Sequence, residues 1–103
     1  MRVLAVDDSE VFLRAVGDVV RAAGFELVGS ALTGEDAVRL HAELRPDVVL
    51  LDLHLPGIDG HETARRIARS RSATTIVLMS ADPPPGVLAK AALTPELLRE
   101  LSR

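Results

Sequence analysis

Short apolar runs alternate with longer amphipathic segments along the chain. The runs are Val3–Val6, Leu27–Ala31, Val48–Leu51 and Ile76–Met79. Runs of this kind are typical of strands buried on both faces of a parallel sheet. Between them, apolar residues recur at helical spacing in segments that begin near Val11, Thr33 and Gly60. The alternation predicts an α/β fold, a doubly wound parallel sheet with helices on both faces.

Polar and conformationally special residues mark where the predicted helices begin and end. Ser9 is placed to cap the first helix and Gly24 to end it. Thr33 begins a sequence that resembles a capping box. Thr94 followed by Pro95 predicts the start of a last helix. The second strand is more polar than the others, which is typical of an edge position.

The pattern changes after the fourth apolar run. Residues 83–86 read Pro-Pro-Pro-Gly, and only a minimal strand, Val87–Ala89, precedes the last helix. A link over 81–86 spans at most about 20–22 Å, so a helical crossover does not fit. Three paths remain open: an extended link within the chain, a segment swapped with a second copy, or an antiparallel return. One sheet face then lacks a helix, and we expect Val77 and Met79 to be exposed there.

Composition narrows the class of protein. The chain has 103 residues, and we take 1–103 as a single domain. A net charge of −3, with two Phe as the only aromatic residues, gives no reason to expect nucleic-acid binding. The absence of cysteine excludes disulfides and thiolate chemistry. No apolar run approaches the length of a membrane span or a signal segment, so we expect a cytoplasmic protein without membrane binding.

Chemically active side chains follow the predicted strands. Asp7 and Asp8 follow the first strand, Asp52 the third, Ser80 the fourth and Lys90 the minimal fifth. The carboxyl ends of parallel strands lie on one rim, where ligands of such sheets bind. Clustered carboxylates repel one another unless a cation joins them, and Mg²⁺ is the usual cation for oxygen ligands. This arrangement suits phosphoryl transfer to a carboxylate.

Four pieces of the sequence occur together: Val6-Asp7-Asp8, the segment 52–60, Ser80-Ala81 and Lys90. In these pieces the sequence resembles the receiver domain of bacterial response regulators in two-component signalling. The resemblance implies a flavodoxin-like sheet with strand order 2-1-3-4-5. It implies a phosphohistidine donor, on a sensor histidine kinase or a phosphotransfer protein. It also implies that the domain is not an enzyme beyond its own phosphorylation and dephosphorylation.

The same resemblance implies roles for individual residues. Asp52 is expected to accept the phosphoryl group, and Ser80 and Lys90 are expected to contact it. By their positions in the predicted helices, rather than by the resemblance, His41 and His61 are expected on helix surfaces. The expected Mg²⁺ ligands are Asp7, Asp8, Asp52 and the backbone carbonyl of His54.

The chain departs from the family between Ser80 and Lys90. Only residues 81–89 separate them, and three of these are prolines. The helix that family members carry between strands 4 and 5 is therefore expected to be missing or replaced by a Pro-rich loop. Val87 stands where the family usually has an aromatic switch residue, and Ala91 where it has proline.

Two functions from different classes remain open. The first is a stand-alone receiver domain that, when phosphorylated on Asp52, switches a protein contact or dimerisation. The second is a pseudo-receiver, a docking or dimerisation module that is not phosphorylated; the missing helix favours it and the retained acids oppose it. A phosphatase of the haloacid dehalogenase type is disfavoured because residues 7–10 lack its Asp-x-Asp pattern. A homodimer, formed either by simple packing or by a swapped segment after Ser80, is expected as cover for the exposed sheet face.

Overall fold

The computed structural model describes residues 1–70 and 73–103. Within them, five parallel strands form one sheet in the order β2-β1-β3-β4-β5, as expected from the sequence. The strands are β1 (Arg2–Val6), β2 (Glu26–Ala31), β3 (Val48–Asp52), β4 (Thr75–Ser80) and β5 (Leu88–Ala89). The helices are α1 (Glu10–Ala22), α2 (Gly34–Leu44), α3 (Gly60–Ala68) and α4 (Pro95–Leu101), with a 3₁₀ turn, Lys90–Ala92, between β5 and α4. Among these described helices, none has the length and apolar character needed to cross a bilayer.

The predicted helix caps are present. The side-chain oxygens of Ser9, Thr33 and Thr94 each accept a backbone N–H three residues ahead. Gly24 follows α1 with a φ of +83°, a conformation that glycine adopts at little cost. Asp59 caps α3 in the same way, although no cap was predicted there. The caps set where each helix starts, and so they set the course of the loops that follow the strands.

Helices cover both faces of the sheet, so alternate strand residues enter two apolar cores. One core joins the sheet to α1 and α4, and its buried residues include Val3, Ala5, Val16, Val20, Leu50, Met79 and Leu98. The other core joins the sheet to α2 and α3, and its buried residues include Leu4, Val6, Ala37, Val49, Leu51 and Ile67. The central strand β3 is buried throughout, as its unbroken apolar run predicted.

The link between β4 and β5 contains no helix, as predicted. Its prolines end in a tight turn, in which the Val87 N–H donates to the Pro84 carbonyl at 3.2 Å and Gly86 has a φ of +87°. The chain then pairs with β4 in parallel, with Ser80 opposite Ala89. Of the three open paths, the structure therefore takes the one in which the last strand stays within its own chain.

The expected exposure of Val77 and Met79 is wrong. Val77 is 8% and Met79 1% exposed, because both point into the core that α1 and α4 cover. Their neighbours Ile76 and Leu78 point to the opposite face, where they are half-buried against the second core. Since side chains alternate along a strand, the missing helix uncovers the other set of β4 residues.

Candidate functional site

Three carboxylates meet at the carboxyl ends of the central strands. Asp7 and Asp8 come directly after β1, and Asp52 is the last residue of β3, which pairs with β1. One carboxylate oxygen of each lies within 4.8 Å of those of the other two. Asp7 and Asp52 are buried, at 1% and 4% exposed, whereas Asp8 is open to solvent. The predicted acidic cluster is therefore present, with one accessible side.

Local backbone groups orient the two buried acids. The Ser9 N–H donates to Asp7 Oδ1 at 2.9 Å, and the His54 N–H donates to Asp52 Oδ1 at 3.2 Å. Each contact spans two residues, so the chain leaving each strand holds the carboxylate that ends it. In both residues the second oxygen, Oδ2, is the one that faces Lys90.

Lys90 completes the cluster from the far side of the sheet. Its Nζ atom lies 2.6 Å from Asp7 Oδ2 and 3.4 Å from Asp52 Oδ2, and its side chain is 19% exposed. Asp7 Oδ2 is fully buried and accepts no well-aligned hydrogen bond within the described residues, so its contact with Lys90 is an ion pair. The short, parallel β5 thus brings Lys90 to the site, as the sequence predicted.

Burial and charge shift the ionisation of this cluster. Burial raises the pKa of Asp52, and the negative charge of Asp7 adds to the rise, while the His54 N–H and Lys90 oppose it. Burial disfavours the charged form of Lys90, but its contacts with Asp7 and Asp52 outweigh burial and raise the pKa of Lys90. The cluster thus holds three acids and one ammonium, which contacts two of them, so the site is short of positive charge.

Ser80 and His54 lie on the same rim. Ser80 ends β4 and is 1% exposed; its hydroxyl oxygen accepts the Asp82 N–H at 3.1 Å. Met79, the residue before it, pairs with Asp52 in the sheet, so Ser80 belongs to the strand end beside the acidic cluster. The His54 side chain is exposed. The predicted roles of Ser80 and of the His54 carbonyl stay predictions.

The residues present fit a hard divalent cation. All donors in the cluster are oxygens, the ligands that Mg²⁺ prefers. Oxygens on opposite sides of an Mg²⁺ ion, each about 2.1 Å from it, are about 4.2 Å apart, close to the 4.8 Å limit within which these three lie. The buried Asp7 Oδ2 also has unused capacity to accept, since only Lys90 faces it in the described residues.

Two supporting contacts hold the loop after Asp52 and were not predicted. A Cβ atom at Gly60 would lie 2.5 Å from the Asp52 carbonyl oxygen, so α3 begins in direct contact with the site strand. The Glu35 carboxylate accepts the Ile58 N–H at 2.8 Å and so ties α2 to the same loop. The Asp59-Gly60 pair in the sequence hinted at the first contact. The contact between Glu35 and the Ile58 N–H joins segments that are far apart in the sequence, so no local sequence pattern predicted it.

Phe12 is a further neighbour of the site that was not predicted. Its ring centroid lies 4.5 Å from Lys90 Nζ, a distance at which a cation is attracted to an aromatic face.

The sequence did contain one signal that distinguishes Lys90. It is the single lysine in a chain whose other strongly basic residues are all arginines.

Known proteins are similar to this chain in sequence. The model of the response regulator receiver domain family matches residues 3–94. Chemotaxis protein CheY of Thermotoga maritima is 34% identical over 80 residues, which cover 78% of this chain and 67% of that protein. A protein-glutamate methylesterase/protein-glutamine glutaminase of Myxococcus xanthus is 44% identical over 94 residues, 90% of this chain and 27% of that protein. The chain therefore spans about a quarter of the length of such methylesterase relatives.

Solved structures agree with the sequence relatives. The receiver domain of the response regulator NarL from Mycobacterium tuberculosis superposes with a TM-score of 0.89 at 26% identity, covering 98% of this chain and 94% of that one. The response regulator domain of Thermotoga maritima CheB gives 0.81 at 26% identity, with 98% and 92% covered. On sequence and fold together, the chain belongs to the response regulator receiver domain family.

Proposed function

We propose that this receiver domain accepts a phosphoryl group on Asp52, in the presence of Mg²⁺, from a phosphohistidine of a sensor kinase or phosphotransfer protein. The observation that carries the proposal is the meeting of Asp7, Asp8 and Asp52 with Lys90 at one strand-end rim. A structural role alone does not account for three acids of which two are buried, because such a cluster costs free energy without a bound cation.

The geometry suggests how each residue serves the transfer. Asp52 Oδ1 is held by the His54 N–H, so Oδ2 is the oxygen that attacks phosphorus. The new O–P bond forms as the P–N bond to the donor histidine breaks, and the electron pair returns to the imidazole nitrogen, which takes up a proton. Bound Mg²⁺ would neutralise charge on the phosphoryl oxygens. Asp7, Asp8, Asp52 and the His54 carbonyl would hold the ion, and Lys90 and Ser80 would contact the phosphoryl oxygens.

Phosphorylation with a small donor tests the proposal. We expect incubation with acetyl phosphate and Mg²⁺ to add the mass of one phosphoryl group to the intact protein. Asp52→Asn should abolish the gain. Asp82→Asn, which removes an exposed acid outside the cluster, should keep it. A gain that survives in Asp52→Asn would place the modification elsewhere and overturn the assignment.

The absent helix keeps the pseudo-receiver as a second candidate. In that case the fold serves as a docking or dimerisation module, and the acids are retained without phosphorylation. The same experiment separates the two functions. No mass gain in the wild type, together with no change in thermal stability on adding Mg²⁺, supports the pseudo-receiver. A mass gain that depends on Mg²⁺ supports the phosphoacceptor.

The output is expected to be a protein contact. Ile76 and Leu78 lie on the face that no helix of the β4–β5 link covers, and both stay half-buried. We infer that a partner packs there, and a second copy of this chain is the simplest one. A swapped arrangement has less support, because β5 already pairs with β4 of its own chain. Light scattering at micromolar concentration tests this, and a monomer with and without phosphorylation would contradict a homodimer.

The stand-alone arrangement stays a prediction. The methylesterase relatives are about four times as long as the segment they share with this chain. The matched segment in them is the receiver part, so their activity is not carried over. The donor and the downstream partner of this chain are likewise proposals, which reconstitution with candidate kinases would test.

A further inference from the structure

Lys90 is attached to the fold by few elements. The strand that leads to it, β5, has two residues, and Lys90 itself opens a 3₁₀ turn that no side chain caps. The next two residues, Ala91 and Ala92, are exposed and have no long side chain to bury. A lysine side chain loses rotamer entropy when its position is fixed. Contacts with other parts of the molecule must therefore hold the ammonium in place.

Phe12 provides such a contact from a different element. It lies in the first turn of α1, half-buried, and it packs against the core shared by α1 and α4. Its ring centroid is 4.5 Å from Lys90 Nζ. We propose that Phe12 is a positioning residue that holds the Lys90 ammonium at the phosphorylation site. The proposal rests on the proposed function, in which Lys90 contacts the phosphoryl group.

The Phe12 ring matters because the carboxylates that contact Lys90 are also expected to bind Mg²⁺. In the described structure Asp7 Oδ2 and Asp52 Oδ2 face Lys90, at 2.6 and 3.4 Å. The same two residues belong to the oxygen cluster that fits Mg²⁺. When their charge is neutralised by a divalent cation, they attract Lys90 less strongly. The Phe12 ring is not a metal ligand, so its attraction for the ammonium persists in that state.

The single lysine makes the contact directly observable. In protein labelled with ¹³C-lysine, the side-chain methylene signals next to the ammonium all belong to Lys90. A position over an aromatic face shifts these proton signals upfield. We expect the shift in the wild type with and without Mg²⁺. Phe12→Tyr should keep it, and Phe12→Leu should lose it, most clearly with Mg²⁺ present.

Phe25→Leu is the matched control. Phe25 is the other phenylalanine of the chain, and it packs against the same core as Phe12 but follows the opposite end of α1. The same substitution there removes a similar apolar area without touching Lys90. We expect it to lower stability to a similar degree while leaving the Lys90 signals in place. A stability effect and a positioning effect are thereby separated.

Phosphorylation provides the second readout. With acetyl phosphate and Mg²⁺, Phe12→Leu should slow modification of Asp52 by about twofold to thirtyfold relative to Phe25→Leu. Phe12→Tyr should match the wild type. If the wild type is not phosphorylated at all, the proposed function fails while the Lys90 signals still report the contact. Lys90 signals that are identical in wild type and Phe12→Leu with Mg²⁺ would overturn the positioning role itself.

Discussion

The Lys90 ammonium lies 2.6 Å from Asp7 Oδ2, and the two side chains are 19% and 1% exposed. This ion pair connects the last strand of the sheet to the end of β1, across β3 and β4. Asp52, the other buried acid, is 3.4 Å from the same ammonium. Lys90 therefore provides the positive charge that allows two carboxylates to be buried side by side.

Replacing Lys90 should destabilise the fold in a way that Mg²⁺ corrects. Without the ammonium, Asp7 and Asp52 repel each other with no compensating charge. We expect Lys90→Met to lower the free energy of unfolding by about 3 kcal/mol in chelator. Saturating Mg²⁺ should recover much of this loss, because the ion binds the same carboxylates. Urea unfolding with and without Mg²⁺ measures both effects.

Arg99→Met is the control for that experiment. Arg99 is an exposed cation on α4, 3.9 Å from the exposed Glu96. Pairs of this kind contribute at most about 1 kcal/mol, so the loss should be small and should not depend on Mg²⁺. If Lys90→Met lowers the free energy of unfolding equally with and without Mg²⁺, then the metal does not bind the carboxylates that the ammonium contacts.

Asp52→Asn should stabilise the domain at neutral pH when no divalent cation is present. Burial, with the charge of Asp7, raises the pKa of Asp52, so the folded state binds its proton more tightly than the unfolded state does. This tighter proton binding stabilises the folded wild type. The contribution is present in full below about pH 4, and it is lost as the pH rises through the pKa of Asp52 in the folded state. The asparagine variant has no such loss. Its advantage should therefore grow from pH 4 towards 7, and an advantage that is constant with pH would contradict the shift.

Gly60→Ala should disturb the site through the backbone. The added methyl group would lie 2.5 Å from the Asp52 carbonyl oxygen and 2.7 Å from Leu53 Cα, and neither atom is free to move away. We expect a loss of about 1–3 kcal/mol in unfolding and a weaker response to Mg²⁺. Gly17→Ala, within α1, is the contrasting case. There the nearest atom belongs to the flexible Arg21 side chain at 3.1 Å, and alanine favours the helix by about 0.5–1 kcal/mol.

The succession of strands and helices and the site rim followed from the sequence because both depend on local pattern, whereas the order of the strands in the sheet was implied by the family resemblance. An unbroken apolar run defines β3, and the polar residue that ends it must lie at the strand end. Since β1 and β3 were predicted to be parallel, Asp7 and Asp52 had to reach the same rim, whereas the position of Lys90 depended on the path of the last strand, which the sequence left open. Strand period and connection rules therefore sufficed for the acidic cluster.

Side-chain direction did not follow in the same way. The alternation along β4 groups Ile76 with Leu78 and Val77 with Met79, but it does not tell which pair faces the missing helix. That depends on where α4 packs, and α4 lies beyond the Pro-rich link. The contact of Phe12 with Lys90 depends on the same packing.

His41 is a second residue whose environment the sequence misjudged, since it was expected on a helix surface. It is 3% exposed, and its Nε2 atom lies 2.9 Å from the Thr74 hydroxyl. That hydroxyl donates to the Pro46 carbonyl, so it accepts from His41, which carries a proton on Nε2. The ring thus ties α2 to the start of β4. His41 is four residues after Ala37 in α2, so its spacing places it on the same inner face of the helix. Its polar side chain led to the expectation of a surface position instead.

The buried His41 should make stability fall as the pH is lowered. Burial lowers the pKa of His41, so the unfolded state binds a proton that the folded state does not. The loss should begin as the pH drops through about 6.5 and be complete below the folded pKa. His41→Gln should remove this part of the pH dependence between pH 5 and 8, as measured by urea unfolding. His61→Gln, at an exposed position on α3, should leave it unchanged, and an equal slope in wild type and His41→Gln would show that another group titrates.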